Sequence, residues 1–189
     1  MFDLFKEIKN HLPYDYNEAE SKRKFLNFLL EHSDCYSRKN FYGHVTAGGF
    51  VCDGKGNILL NHHKASGMWF QFGGHSDENT NSLEVATREI REEAGIEDLI
   101  LVENKIFDVD VQKILARPQK NEPEHYHFDV NFMFLVKNKD FKISNESTEI
   151  RWVTIDEARK LVNPSYHAML RMIDKYEQYL NNNIFCSAK

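Results

Sequence analysis

The sequence predicts an α/β layered domain preceded by an N-terminal helical segment. Strand-like and helix-like segments are interleaved along the chain, a pattern that suits helices layered on a sheet. The turn "DGKG" sits between two strand-like runs, as in a hairpin. The chain has 189 residues, 41% hydrophobic and 28% charged, which suits one domain with an added terminal subdomain. The division expected is residues 1–40 as the helical segment, 41–180 as the main domain and 181–189 as a tail.

The elements follow in order. "FDLFKEIKNHL" places Leu4, Phe5, Ile8 and Leu12 on one helical face, and "PYDYN" breaks it. Asn17 is the expected N-cap of "EAESKRKFLNFLLEH", whose Phe25, Leu26, Leu29 and Leu30 form a second stripe. Both helices are expected to be scaffold, with a lid or a dimer element as alternatives. Strand-like text begins near His44: "HVTAGGFVCD" and "NILLNHH" flank the turn. "MWFQF" is a short apolar run ending at Gly73 and Gly74. An acidic helix follows, and Gly95 ends it. "LILVENKIFDVDVQKI" and "HYHFDVNFMFLV" are expected to be two strands, separated by the polar loop "RPQKNEPE". "EIRWVTI" is the last strand; "DEARKLV" and "SYHAMLRMIDKYEQYL" are helices.

Composition narrows the function. The net charge of -5 gives the chain as a whole no basic attraction for a nucleic acid polymer or an anionic membrane. The longest apolar run, "FMFLV", is far too short to cross a bilayer. Cys35, Cys52 and Cys186 are odd in number, far apart and without a Cys-x-x-Cys pair. They argue against a disulfide framework or a structural zinc site, and read as small semi-buried thiols. "MFDLFKEIKNHL" carries acids and lacks an apolar core, so no signal peptide is expected and a cytoplasmic location is.

The chemistry concentrates in "FGGHSDENTNSLEVATREIREEAGI". Asn81 and Glu84 form a capping-box pattern, and Leu83, Ala86, Ile90 and Ala94 make a core-facing stripe. Glu89, Glu92 and Glu93 share a face beside that stripe, where like charges repel. One reading is a solvated face laced by ion pairs through Glu84 and Arg88. The other is a set of hard oxygen ligands for Mg²⁺ or Mn²⁺, which would cancel the repulsion and grip a phosphate. A strand, a glycine turn and an acidic helix suit the second reading, with a backbone carbonyl of the turn joining the ligands.

Gly74, Arg88-Glu89-Ile90, Glu92-Glu93 and Gly95-Ile96 resemble the Nudix box, G-x5-E-x7-R-E-U-x-E-E-x-G-U with U aliphatic. Thr80 stands where the family's first Glu belongs, and Glu84 or Asp77 is expected to pair with Arg88 in its place. "GHVTAGGFV", "WFQFGGHSD" and "EHYHFDVNFMF" resemble a Nudix subgroup with a Gly-Gly-His signature. The resemblance implies an α/β/α sandwich with a mixed sheet. It also implies a hydrolase that cleaves the pyrophosphate of a nucleoside diphosphate linked to another moiety, using Mg²⁺ or Mn²⁺. Glu89, Glu92, Glu93 and the Gly74 carbonyl would be the metal ligands, and Arg88 would orient Glu89. Glu89 is the first choice for general base; Glu146 and Glu149 are candidates outside the box. The partner implied is a small-molecule nucleotide, and the resemblance allows a homodimer. ADP-ribose, diadenosine polyphosphates, a sugar nucleotide and a damaged nucleoside triphosphate all stay open as substrates. A non-catalytic nucleotide sensor on the same fold is the alternative. Isopentenyl diphosphate isomerase shares the fold, but Cys52 is its only candidate cysteine and lacks the expected surroundings.

Strand periodicity adds a reading of its own. Tyr126, Phe128, Val130, Phe132 and Phe134 fall on one face, and His125, His127, Asp129 and Asn131 on the other. The polar row lies in the substrate cleft, in solvent, or in a second metal site of the His-x-His-x-Asp kind. His127 and Asp129 are the preferred substrate contacts. His75 could touch phosphate, and Trp69 could stack on a base.

Overall fold

The computed structural model describes residues 2–187, with the side chains of Lys120 and residues 184–187 left out. The protein is an α/β/α sandwich. Two helices come first, α1 (Leu4–Asn10) and α2 (Tyr16–Glu31). The strands β1 (Gly43–Cys52), β2 (Asn57–His63), β3 (Met68–Phe70) and β4 (Phe72–His75) follow. Then come α3 (Ser82–Ala94), β5 (Ile100–Leu101), β6 (Asp108–Ile114), β7 (His125–Leu135) and β8 (Ser147–Thr154). The helices α4 (Ile155–Leu161) and α5 (His167–Ser187) close the described chain.

The strands form one mixed sheet with the path β3-β2-β1-β7-β5; β4 pairs with β1, β6 with β7 and β8 with β2. β1 and β2 form the expected antiparallel hairpin, and Gly54 (φ 68°) and Gly56 (φ 96°) supply its left-handed turn residues. β7 lies between β1, which runs parallel to it, and β6, which runs antiparallel. Most of its apolar row and most of its polar row are buried, so the polar row does not lie in open solvent.

Two apolar layers sandwich the sheet. Phe25 and Phe28 of α2 and Ile90 of α3 pack with Phe128, Val130 and Phe132 on one face. Met169, Met172, Ile173 and Tyr176 of α5 pack with Phe50, Ile58, Leu60 and Met133 on the other.

The structure corrects several local expectations. The N-cap of α2 is Asp15, whose carboxylate accepts from the Glu18 backbone N–H at 2.7 Å, not Asn17. The buried stripe of α2 runs through Phe25 and Phe28, while Leu12 and Leu30 are exposed. The stripe turned toward Phe28 because that ring stacks on Phe128 at 3.8 Å. The long run from Leu99 divides into β5 and β6, because Glu103 (φ 56°) and Asn104 (φ 52°) adopt left-handed backbone. "MWFQF" likewise breaks at Gln71, which lies between β3 and β4. α5 continues beyond the segment read as helical, through Ser187. Cys35 and Cys52 are buried free thiols; the Cys186 side chain lies outside the described residues.

A buried ion cluster ties the two helical layers together. Arg171 forks onto Asp108 with two bonds of 2.8 Å. Lys175 reaches Glu18 at 2.6 Å and Asp108 at 2.8 Å. His11 also meets Glu18, at 2.7 Å. Burial pushes the Glu18 carboxyl up, but His11 and Lys175 outweigh it and hold it at about 2. A depressed carboxyl contributes stability that is complete above its ordinary range and lost as pH falls toward the folded value. Lys175→Met should therefore destabilise the fold by about 3 kcal/mol at neutral pH, because two buried carboxylates lose a counter-charge. Its acid unfolding should also begin at higher pH, since Glu18 would protonate earlier. Urea denaturation from pH 7 to pH 3 tests both; a variant curve that overlays the wild type would remove the cluster from the account of stability.

Candidate active site

α3 carries the acidic residues, and its ends are set locally. The Asn81 side chain accepts from the Glu84 backbone N–H, as the sequence predicts, and Gly95 (φ 64°) ends the helix in left-handed conformation. Ala86, Ile90 and Ala94 are buried as expected, joined by Val85, while Leu83 is half-buried. The helix approaches the sheet closely at two glycines. A Cβ on Gly49 would lie 2.3 Å from Ile90 Cδ1, and one on Gly74 would lie 2.6 Å from the Glu89 carboxyl carbon.

This approach brings two glutamates to the sheet. Glu93 is only 6% exposed. Its Oε2 accepts from Asn61 Nδ2 at 2.6 Å, and its Oε1 accepts from the Gly73 backbone N–H at 3.0 Å. Glu89 Oε1 accepts from Arg88 Nη2 at 2.7 Å, and the same nitrogen donates to the His75 carbonyl at 3.0 Å. Glu92 is exposed on the outer side of the turn. Neither stand-in for the missing box glutamate pairs with Arg88. Asp77 forks with Arg38 at 2.5 and 2.8 Å, and Glu84 accepts from Asn79 at 3.5 Å. Arg88 is held instead by its chain neighbour and a strand carbonyl, and its Nε is buried without a partner. Thr80, exposed in the loop, leaves that nitrogen unmet.

The electrostatics follow from burial. Burial pushes the Glu93 carboxyl up to about 8 against the Gly73 N–H, with the Glu89 and Glu146 charges adding to the rise. Burial also raises Glu89, and Arg88 offsets part of that. The hydrogen-bond partners of Glu93 are neutral, so the site is short of positive charge. Hard oxygens held this way fit a divalent cation, which would supply it. Glu146 comes from the segment before β8, held by a bond from the Lys64 N–H to its carbonyl at 2.8 Å. Glu149, the other outside candidate, instead pairs with Arg151 at 3.6 Å.

A cleft of about 710 Å³ is lined by His75 at the end of β4, by Glu122 and Glu146, by the cations Arg38, Lys64 and Arg117, and by His44 and His125; Glu89, Glu92 and Glu93 are not part of its lining. Of the substrate contacts expected, His75 lines it. His127 and Asp129 lie deeper: Asp129 accepts from Thr46 Oγ1 and Asn131 Nδ2, both at 3.0 Å. Burial pushes Asp129 up to about 6 despite those bonds. Trp69 packs beneath Arg151, whose guanidinium carbon is 5.1 Å from the ring centre, and against the α5 layer. The sequence reading missed Asn61, Arg38 and Arg117. Arg117 heads a loop that was singled out, but nothing local marks Asn61 as a partner of Glu93.

The histidines form a group. His44 of β1 pairs in register with His127 of β7, and rings of His44, His125 and His127 stand 4.9–5.0 Å apart. His75 joins at 4.9 Å from His44 and 5.0 Å from His127. Burial and the neighbouring rings push His127 down to about 2; burial and His125 take His44 to about 4. Cys52 is fully buried and its thiol is pushed up to about 12 by that burial, which suits packing and not nucleophilic chemistry.

Residues 43–174 match the family model described as NUDIX domain. No curated protein matches the chain. Among solved structures, a C. elegans Ap4A hydrolase binary complex is 21% identical with a TM-score of 0.56, covering 73% of this chain and 98% of its own. A MutT protein from Methanosarcina mazei Go1 is 20% identical with a TM-score of 0.54, covering 75% and 95%. The E. coli dihydroneopterin triphosphate pyrophosphohydrolase is 16% identical with a TM-score of 0.54, covering 73% and 95%. These likenesses carry the fold, and the family match spans most of the chain with the acidic helix inside it. The protein belongs to the Nudix family.

Proposed function

We propose that the chain is a divalent-metal-dependent pyrophosphohydrolase acting on a nucleoside diphosphate linked to another moiety. The observation that supports it most is Glu93, buried with only neutral hydrogen-bond partners, beside the half-buried Glu89 that Arg88 holds. Glu89, Glu92, Glu93 and the Gly74 carbonyl would hold Mg²⁺ or Mn²⁺, which when bound neutralises phosphate charge and lowers the pKa of a water. The chain's own residues do the rest. Asn61 and the Gly73 N–H fix both oxygens of Glu93. Arg88 holds one oxygen of Glu89 and leaves the other to accept the proton of the attacking water. Glu146 is the second choice for that proton. Lys64 offers the phosphates a cation; Arg38 and Arg117, paired with Asp77 and Glu122, would join it only by turning from those carboxylates. Among the described residues no helix is long and apolar enough to cross a membrane.

Phosphate release from a panel of nucleoside diphosphate derivatives should require Mg²⁺ or Mn²⁺ and stop with chelator. Glu93→Gln should lower kcat by about 100-fold or more by analogy with loss of a single charge-stabilising group. Turnover indifferent to chelator would refute the metal-dependent reading. A panel with no turnover but with nucleotide-raised melting temperature would point to the sensor.

Metal linkage gives a second test. A carboxyl raised in the folded state costs stability as pH climbs from its ordinary range toward about 8, the folded value of Glu93. In chelator the wild type should therefore lose stability between pH 5 and pH 8.5, and Mg²⁺ should restore it. Glu93→Gln, which cannot ionise, should show a flatter profile. Chemical denaturation at the two pH values with and without Mg²⁺ reads this; identical slopes for both proteins would show that Glu93 is not the group responsible.

A further inference from the structure

We propose that His44, His125 and His127 form a second metal site, distinct from the acidic helix, that takes a borderline divalent cation of the Zn²⁺ type. One ligating nitrogen of each ring lies within 4.8 Å of the others, the grouping of this kind found among the described residues. Imidazole nitrogens favour Zn²⁺ and its transition-metal neighbours over the hard cations that carboxylates hold.

Three features distinguish this triad from ordinary packing. The first is its rigidity. His125 and His127 are two apart on β7 and share a face, and the parallel register sets His44 opposite His127. The second is an unmet demand. His44 is 4% exposed, and neither of its ring nitrogens has a partner at hydrogen-bond geometry; the Asn40 backbone is close enough only to raise its pKa slightly against the larger effect of burial. A buried polar group without a partner costs about 1–3 kcal/mol, which a bound cation would offset. The third is a fixed orientation. His125 Nδ1 lies 2.8 Å from the Pro123 carbonyl, which can only accept, so Nδ1 carries the proton and Nε2 presents its lone pair. An imidazole anchored through its far nitrogen to a carbonyl is the arrangement that orients metal-bound histidines. That lone pair points to His127 Nε2 at 3.1 Å, where a shared proton could give way to a shared cation.

Asp129 takes no part, because Thr46 and Asn131 engage both its oxygens. The third ligand is His44, and the His-x-His-x-Asp reading is replaced by a triad drawn from two strands. His44 and His125 also line the cleft, so the site opens to it. Glu122 Oε1 stands 3.7 Å from His125 Nε2 and is placed to approach a remaining coordination position.

Co²⁺ titration of metal-stripped protein in excess Mg²⁺ tests the site, read by visible absorption and followed by displacement with Zn²⁺. One equivalent of nitrogen-coordinated Co²⁺ is expected, retained in Glu93→Gln. His125→Gln should weaken it by about 100-fold or more, beyond the loss typical of an outer-shell change. His44→Phe keeps a ring of similar shape and removes no well-formed protein hydrogen bond, so it should fold while losing Co²⁺ uptake and the rise in melting temperature caused by Zn²⁺. Unchanged uptake in His44→Phe, loss of uptake in Glu93→Gln, or no uptake by the wild type would overturn the proposal.

Discussion

The site depends on how closely α3 can lie on the sheet. At Gly49 and Gly74 the helix occupies space that any side chain would fill, since a Cβ there would sit 2.3 Å from Ile90 or 2.6 Å from the Glu89 carboxyl. Gly48 repeats the pattern on the opposite face, where a Cβ would meet Asn131 Oδ1 at 2.3 Å. Closeness has an electrostatic consequence. It drives Glu89 and Glu93 toward the interior, where desolvation opposes their charge. The fold answers Glu93 with neutral donors, from Asn61 and Gly73, and so leaves the charge itself uncompensated. A carboxylate arranged that way is poor scaffolding, which is why the proposed reading gives it a metal to hold. Under the proposed reading, the same short distance makes the helix both a packing element and a ligand platform.

The second constraint runs from the N-terminal helices to α5. Glu18 of α2, Asp108 of β6 and the cations Arg171 and Lys175 of α5 meet in the interior, although α2 and α5 belong to opposite layers. Buried ion clusters add little net stability relative to apolar packing, but breaking one is expensive. Their value here is positional. β6 is anchored to both layers, and β6 is the outer neighbour of β7. Ser21 Oγ, 3.3 Å from Asp110, adds a further tie between α2 and that strand. The polar row of β7 is thus held from beyond the domain that the box defines, and Leu4, Ile8, Phe25 and Phe28 complete the same core.

Much of this was legible in the sequence, and what was not shares one cause. The cap, stripe and stop of α3 are local, so Asn81, Ile90 and Gly95 could be read from spacing alone. The same spacing puts Glu89, Glu92 and Glu93 on one face, but only Glu89 and Glu93 turn in toward the sheet, while Glu92 is exposed. The exposure of Leu30 could not be read from spacing, because the facing of α2 was decided by Phe128, about a hundred residues away in sequence. Nor could the partner of Arg88. Asp77 and Glu84 were nearer in sequence, but Arg38 took one and Asn79 the other. The role of His44 was hidden likewise: alternation along β7 sorts His125 and His127 from Phe128, but only the register with β1 brings in the third ring.

That register also separates the chemistry of the two faces. Along β4, Gly74 faces α3 and the Glu89 carboxylate, while the next residue, His75, stands against His44 and His127. A strand reverses its side chains at every step. One residue of sequence therefore divides a region of hard oxygens from a region of nitrogens. Cations sort by ligand type more surely than by raw affinity. Under the readings proposed, a hard cation would be drawn to the helix side and a borderline one to the histidines. The Arg88 bond to the His75 carbonyl would couple the two, since the arginine that steadies Glu89 also fixes the strand carrying His75.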